Sequence, residues 1–249
     1  MSALDSIYAA GIQNPPSFKS LNVNTSCEIA VIGGGLTGIS AALNLAENGR
    51  DVVVLEAQKI GSGGSGRNGG HVCQGWPNDF HRISRHLSKD EAQIAWDAGL
   101  QAVDMLAARV KRHKIDCDLK FGYLHAALHP RQMRDLVAHH AEWQDRGYQH
   151  LTLIEPGAAM AAHIGSKAYI GGLHDARSGH IQPLKYLYGL VKAASNAGAR
   201  IFEDTAATAI TAGGRRGSKV LSLSNGSNLC ANTVLVCGNA YLSGIRSKL

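Results

Sequence analysis

Cys27–Glu56, CEIAVIGGGLTGISAALNLAENGRDVVVLE, reads as strand, glycine turn, helix, second strand and terminal acid, the order that an ADP-containing cofactor requires. Gly33, Gly35 and Gly38 form G-x-G-x-x-G directly after the apolar run Ile29–Ile32, and Glu56 closes a second apolar run, Val52–Leu55. Gly33 permits the tight turn, Gly35 lets a pyrophosphate approach the backbone without a Cβ in the way, and Gly38 lets the helix pack closely on the strand. Gly34, Leu36 and Thr37 fill the rest of the turn, so the diphosphate is expected on the helix N-terminus, among unpaired N–H groups and the positive end of the dipole. Glu56, with Ala57 after it, is placed to accept hydrogen bonds from ribose hydroxyls. Six letters alone would be weak evidence; the flanking strand, the helical pattern Ile39, Ala42, Leu43, Ala46 and the terminal acid supply the context. An acid at this position argues against a 2′-phosphate and therefore against NADP, and leaves NAD and FAD open.

The second glycine cluster separates those two. Gly61–Gly70, GSGGSGRNGG, has the composition of a flexible linker, yet it interrupts a nucleotide-binding unit just after its ribose acid and contains Arg67 and Asn68, which a spacer does not need. The stretch from Ile60 through Ser65, Gly66, Arg67, Asn68, Gly69 and Gly70 resembles the flavin-contacting loop of the D-amino-acid-oxidase-like FAD oxidoreductases, the group of glycine and sarcosine oxidases. Its RNGG form is most similar to the gamma-glutamylputrescine oxidoreductase branch. Such a loop can present backbone N–H groups and Ser65 to the pyrophosphate and the flavin edge.

With 249 residues, one large domain or two interleaved small ones is expected, with room for a substantial core. The net charge of +6 comes from scattered basic residues, between Arg82 and Arg146 and again at Arg215 and Arg216, without a dense block interleaved with aromatics; nucleic acid is therefore not an expected partner. Cys27, Cys73, Cys117, Cys230 and Cys237 are odd in number and irregularly spaced, with no C-x-x-C, which suits a reducing cytoplasm and offers neither a zinc site nor a disulfide framework. No run approaches membrane-spanning length, and the N-terminus lacks a basic region followed by a long apolar one, so a cytoplasmic location without membrane insertion is expected.

Residues 1–26 read as an extended leader, 27–85 as the first cofactor-binding segment, 86–175 as part of a substrate domain, and 176–249 as the return to the cofactor domain. A helix is expected from Ser88, with Glu91 completing a capping box and Ile94, Ala98, Val103, Leu106 and Val110 as its apolar stripe; Trp96 and Met105 read as packing residues. Lys114–Leu124 reads as a strand, Pro130–Arg146 and Leu184–Ala197 as helices. Three short runs, Thr208–Ala212, Lys219–Ser224 and Asn228–Ala231, read as a β-meander, and Thr233–Gly238 as a separate closing strand. The expected fold class is α/β, and the resemblance implies a Rossmann-like FAD-binding parallel sheet with a β-meander, interleaved with part of an α+β substrate domain.

Further words carry the resemblance. HKIDCDLKFGYLHAAL is similar to a segment of the same branch, Asp175–Pro183 to the family's D-x-x-x-G-x-x-x-P exit from the substrate domain, and Thr233–Gly238 to its closing A-T-G strand, with Cys237 in place of the alanine and Gly238 as the glycine. Ala207 falls where the family often has a valine whose backbone contacts adenine. The resemblance implies FAD as cofactor, a small amine or amino acid as substrate, and oxidation of its C–N bond by hydride transfer to flavin N5. The resulting imine hydrolyses, and oxygen or another acceptor reoxidises the flavin. It also implies a C-terminal part beyond Leu249, from a longer gene or a complementing polypeptide. His71, just after RNGG, reads either as a polar contact tuning the amine or flavin, hence the candidate catalytic residue, or as a packing or solvent-facing histidine. Arg67 reads either as a countercharge to pyrophosphate or reduced flavin or as a brace for its loop. Cys117 reads as a small buried residue, and no metal site is legible. Two other function classes compete: an NAD-dependent dehydrogenase, which leaves GSGGSGRNGG without a purpose, and a non-catalytic flavin-binding or interaction module.

Overall fold

The computed structural model describes residues 6–77, 80–214, 217–242 and 245–248; Arg215 and Arg216 lie outside them. In chain order the first elements are β1 (Thr25–Ile32), α1 (Leu36–Glu47), β2 (Val52–Leu55), β3 (His71–Val72), α2 (Phe80–Ser84) and α3 (Lys89–Arg112). Then come β4 (Lys120–Ala127), α4 (Pro130–Asp145), β5 (Leu151–Ile154), α5 (Ala158–His163) and β6 (Gly171–His180). The chain closes with α6 (Pro183–Asn196), β7 (Arg200–Phe202), β8 (Ala207–Ala212), β9 (Lys219–Leu223), β10 (Asn228–Val236) and β11 (Arg246–Lys248). Packing divides these into two compact units, one formed by 1–69, 110–117 and 182–249, the other by 70–109 and 118–181.

The first unit is built on a seven-stranded sheet in the order β11-β8-β9-β10-β1-β2-β7. β1 runs parallel to β2 and to β10, and β2 runs parallel to β7, while β8, β9 and β10 form an antiparallel meander. All four residues of β2 are buried, as an interior strand of a parallel sheet requires. α6 packs on α1, and its buried residues Leu184, Leu187, Leu190, Val191 and Ala194 recur at three and four residues, which makes one apolar helical face. Its start is fixed by Pro183 at the first helical turn and by the Gln182 side chain, which accepts a hydrogen bond from the Lys185 N–H at 2.8 Å. The segment expected as an extended leader opens with hydrogen-bonded turns over residues 6–11, and its last two residues, Thr25 and Ser26, already belong to β1; between these it is anchored. The Phe18 N–H donates to Glu203, and Leu21 is buried in the core below the meander with its N–H donated to the Thr205 hydroxyl.

The second unit is an antiparallel sheet centred on β6, with β4 along one edge and β5 and β3 sharing the other. Phe80, Trp96, Trp143, Tyr148, Leu151 and Leu173 form its core. Buried Asp175 accepts hydrogen bonds from the Tyr148 hydroxyl (2.7 Å), the Ser178 hydroxyl (2.5 Å) and the Arg177 N–H (2.9 Å), so its charge is met by three donors. Burial and this carboxylate push the Tyr148 hydroxyl well above the usual tyrosine range, keeping it a donor.

Several expectations need correction. The capping box Ser88–Glu91 is present, but the buried face of α3 is Trp96, Gly99 and Val103; Ile94 is 69% exposed and Met105 52% exposed. The strand expected at Lys114–Leu124 begins only at Lys120, because Lys114 and Asp118 adopt φ of +52° and +54°, which breaks an extended run. Asn228–Ala231 and Thr233–Val236 are not two strands but the two halves of β10.

Candidate cofactor site

The turn after β1 passes against the end of β10. Gly33 has φ of +109°, and a Cβ there would lie 2.7 Å from the Cys237 carbonyl oxygen and 3.1 Å from the Gly238 nitrogen. The Cys237 N–H in turn donates to the Ile32 carbonyl at 2.8 Å, so Cys237 and Gly238 stand beside the glycine turn. Burial raises the Cys237 thiol pKa, and burial together with the Asp51 carboxylate pushes that of Cys27 up to about 11, which leaves both protonated.

Gly35 occupies the N-cap of α1 and has no side chain with which to cap it. The cap comes from the second glycine cluster: the Leu36 N–H donates to the Ser65 hydroxyl at 3.0 Å, and a Cβ on Gly35 would come within 2.7 Å of that oxygen. Two stretches apart in sequence therefore meet at one helix N-terminus, where the remaining amides and the helix dipole favour an anion. The loop is held from within. Gly64–Gly66 forms a 3-10 turn, the Arg67 Nε–H donates to the Ser62 carbonyl (3.1 Å), and the Asn68 amide donates to the Ser65 carbonyl (3.0 Å). Arg67 thus braces the loop, one of its two sequence readings.

Glu56 follows β2 directly. Its carboxylate accepts the Gly34 N–H at 2.8 Å and the Gln58 N–H at 3.0 Å; a carboxylate has about four acceptor positions, so about two remain for ribose hydroxyls. Its backbone is clamped as well, with its N–H donated to the Phe202 carbonyl and its own carbonyl accepting the Thr205 N–H, both at 2.9 Å. The second bond brings the connection into Ala207, the first residue of β8, past the acid. Leu36, Thr37 and Gly38 open α1, and Ala57 and Gly69 lie in the same unit.

Gly70 and His71 fall in the second unit. The Gly70 carbonyl accepts the Ile181 N–H at 2.8 Å, and His71 opens β3 opposite His180. The His71 ring is exposed and meets Tyr123 edge-on with centroids 5.5 Å apart, and Tyr123 meets His125 at 4.8 Å, so three rings line one stretch of this sheet. Among the described residues no group of three or more His, Cys, Asp or Glu is placed to hold a metal ion, and no helix is long and apolar enough to cross a membrane.

One residue that shapes the site escaped the sequence reading. Glu203, 1% exposed, accepts the Ile60 N–H (2.8 Å), the Phe18 N–H (3.1 Å) and the Lys59 ammonium (3.2 Å), tying the start of the second loop and the leader to the end of β7. Its signal was an acid at the close of an apolar strand, the same signal that marks Glu56.

The glycine cradle, the hydroxyl-capped helix start and an acid with acceptor positions to spare fit the ADP half of FAD. The comparisons with known proteins agree. The family model for FAD-dependent oxidoreductases (DAO) matches residues 28–249. Gamma-glutamylputrescine oxidoreductase of Escherichia coli (strain K12) is 36% identical over 237 residues, 95% of this chain and 54% of that protein. The chain spans about half the length of the curated relatives it matches. Among solved structures, glycine oxidase from Geobacillus kaustophilus superposes with a TM-score of 0.74 at 22% identity, covering 88% of this chain and 57% of that one. L-amino acid deaminase from Proteus myxofaciens superposes with a TM-score of 0.76 at 16% identity, covering 92% and 49%. At such identities these two speak for the fold alone, and with the family match they lead to one assignment: the chain belongs to the DAO family of FAD-dependent oxidoreductases.

Proposed function

We propose that the chain is the FAD-binding portion of an oxidoreductase that oxidises the C–N bond of a small amine, with gamma-glutamylputrescine as the substrate suggested by the Escherichia coli relative. The observation that carries this reading is the joining of the two glycine clusters at the start of α1 through Ser65 and Leu36, above Glu56. Bound FAD supplies the acceptor for a hydride from the carbon next to the amine nitrogen. The substrate nitrogen also loses a proton, the imine so formed takes up water to give a carbonyl compound and the released amine, and oxygen or another acceptor takes the electrons. The protein's own part is positional: Gly33, Gly34, Gly35, Leu36, Thr37, Gly38 and the loop Ser65–Gly70 hold the diphosphate, Glu56 and Ala57 hold the ribose, Ala207 borders the adenine, and Cys237 and Gly238 line the turn. His71, exposed in β3 and next in sequence to that loop, is assigned a contact with the substrate amine. Turnover is assigned to an assembly that includes the C-terminal part of the family's length, because hydride transfer needs the donor carbon held to about 1 Å and shielded from water.

The test has two arms. Flavin retained after purification should be yellow, extractable FAD in the natural chain and absent in Gly35→Val, whose side chain would run into Ser65; full retention by that variant removes the assignment. In the second arm the chain is assayed with gamma-glutamylputrescine, putrescine and small amino acids while peroxide and dye reduction are followed. The chain by itself should turn over far below about 1 per second. In a complemented enzyme, His71→Ala should alter the pH profile of amine oxidation and leave FAD content unchanged.

A further inference from the structure

A second concavity lies wholly within the first unit and shares no residue with the cofactor site. It is an open groove of about 970 Å³, bounded by residues from 11–18, by the turn 113–116 that follows α3, and by the face of α6 that carries Lys185, Tyr188, Gly189 and Lys192. The turn is seated on α6 at a glycine, since a Cβ on Gly189 would fall 2.3 Å from the Ile115 Cγ2. It closes α3 with the Lys114 N–H donated to the Lys111 carbonyl (3.3 Å) and the Ile115 N–H to the Val110 carbonyl (2.9 Å), a pattern whose left-handed position usually holds glycine. Here that position holds Lys114. The other non-glycine residues with positive φ among the described residues are Asn14, Asp118, Asp204 and Asn239, types that tolerate it, so the lysine stands there at a backbone cost. Lys114, Lys185 and Lys192 bring three ammonium groups to the groove, and among the described residues no arginine lines it. Of its two carboxylates, Glu47 is already paired with Arg112 at 3.2 Å, which leaves Asp116 against three lysines. The buried His113 Nε2 lies 3.4 Å from Glu47 and makes no hydrogen bond, so one polar atom of the groove is unmet. Phe18 and Tyr188, both half-buried, add two aromatic rings to the lining.

We propose that this groove is a second ligand site, separate from the cofactor turn, for a small organic phosphate of the nucleotide kind, its phosphate met by the lysines and its planar body by Phe18 and Tyr188. The choice of anion follows from the donors. An ammonium is a point charge that suits a phosphate from any side, whereas a planar carboxylate is best matched by the fork of a guanidinium, which the groove lacks. The choice of an organic body follows from size: small-molecule sites run to about 300–1,000 Å³, and a bare phosphate ion would leave most of this volume and both rings unused. Neither the groove nor its ligand depends on which amine is oxidised.

The experiment titrates AMP, inorganic phosphate and succinate by calorimetry into the chain held in excess FAD, which occupies the cofactor turn. AMP should bind with a Kd below about 1 mM and at least about tenfold more tightly than phosphate or succinate. Lys114→Gly and Lys192→Gln should each weaken AMP at least about tenfold, the size of one lost charge-assisted hydrogen bond. Lys114→Gly also relieves the left-handed backbone, so its unfolding midpoint should not fall, and lost binding there cannot be lost folding. Gly35→Val, altered in the cofactor turn, should bind AMP as the natural chain does. No saturable AMP binding, AMP binding that excess FAD abolishes, or binding that neither lysine change weakens overturns the site; phosphate or succinate binding as tight as that of AMP overturns the ligand class.

Discussion

β2 and the second half of β10 are alike in sequence, VVVL and TVLV, and both run parallel to β1, one on each side. β2 has β7 on its far edge and is buried along its whole length; among the described residues the end of β10 has no strand paired there, and it stands half in solvent. The same apolar run thus fulfils its pairing on one flank of the sheet and not on the other. An apolar pattern states that a strand is to be covered. What covers it is decided by residues far away in the chain.

The largest effect that probes this contrast is expected from Val54→Asp in the closed flank. It would bury an unpaired carboxylate at a fully enclosed position, and the side chain would have no donor to meet it; loss of several kcal/mol should leave no cooperative unfolding transition above room temperature by calorimetry or circular dichroism. Glu203→Gln, at the end of β7 on the same flank, should cost about 1–3 kcal/mol in denaturant midpoint, since one carboxylate oxygen becomes an amide that can no longer accept from the Ile60 or Phe18 N–H. A stability equal to that of the natural chain would show that the carboxylate merely fills space. The smallest effect belongs to the open flank: Val236→Asp in the chain alone should shift stability by no more than about 0.5 kcal/mol, and a larger loss would mean that this edge is already covered.

The cofactor turn was legible because every step of it is local. Gly33, Gly35, Gly38 and Glu56 lie within one β-α-β unit, and each residue type answers to one steric or electrostatic need. The Gly61–Gly70 loop was legible only through resemblance; its physical role, capping α1 through Ser65, joins positions that no short-range pattern connects. Glu203 was missed for the same reason, since its partners Phe18 and Ile60 are more than a hundred residues distant. The continuity of β10 was missed because Asn232 interrupts the apolar run, although the backbone continues extended through it. The phase of α3 was misjudged from its aliphatic residues, whereas its burial is set by Trp96 packing edge-on against Phe80 and Trp143.

The pairing of β1 with β10 also has a consequence in time. Thr25 of β1 lies opposite Leu229 of β10, so the ribosome must add roughly two hundred residues after β1 before its partner exists, which at about 5–20 residues per second takes on the order of 10–40 s. Throughout that interval one flank of β1, whose last four residues Ile29–Ile32 are buried in the finished sheet, is bare while the aromatic unit encoded between the two is being made. This makes β1 the stretch on which a chaperone would be expected to dwell, and it makes slow stretches of translation before β10 more hazardous to this chain than those after it.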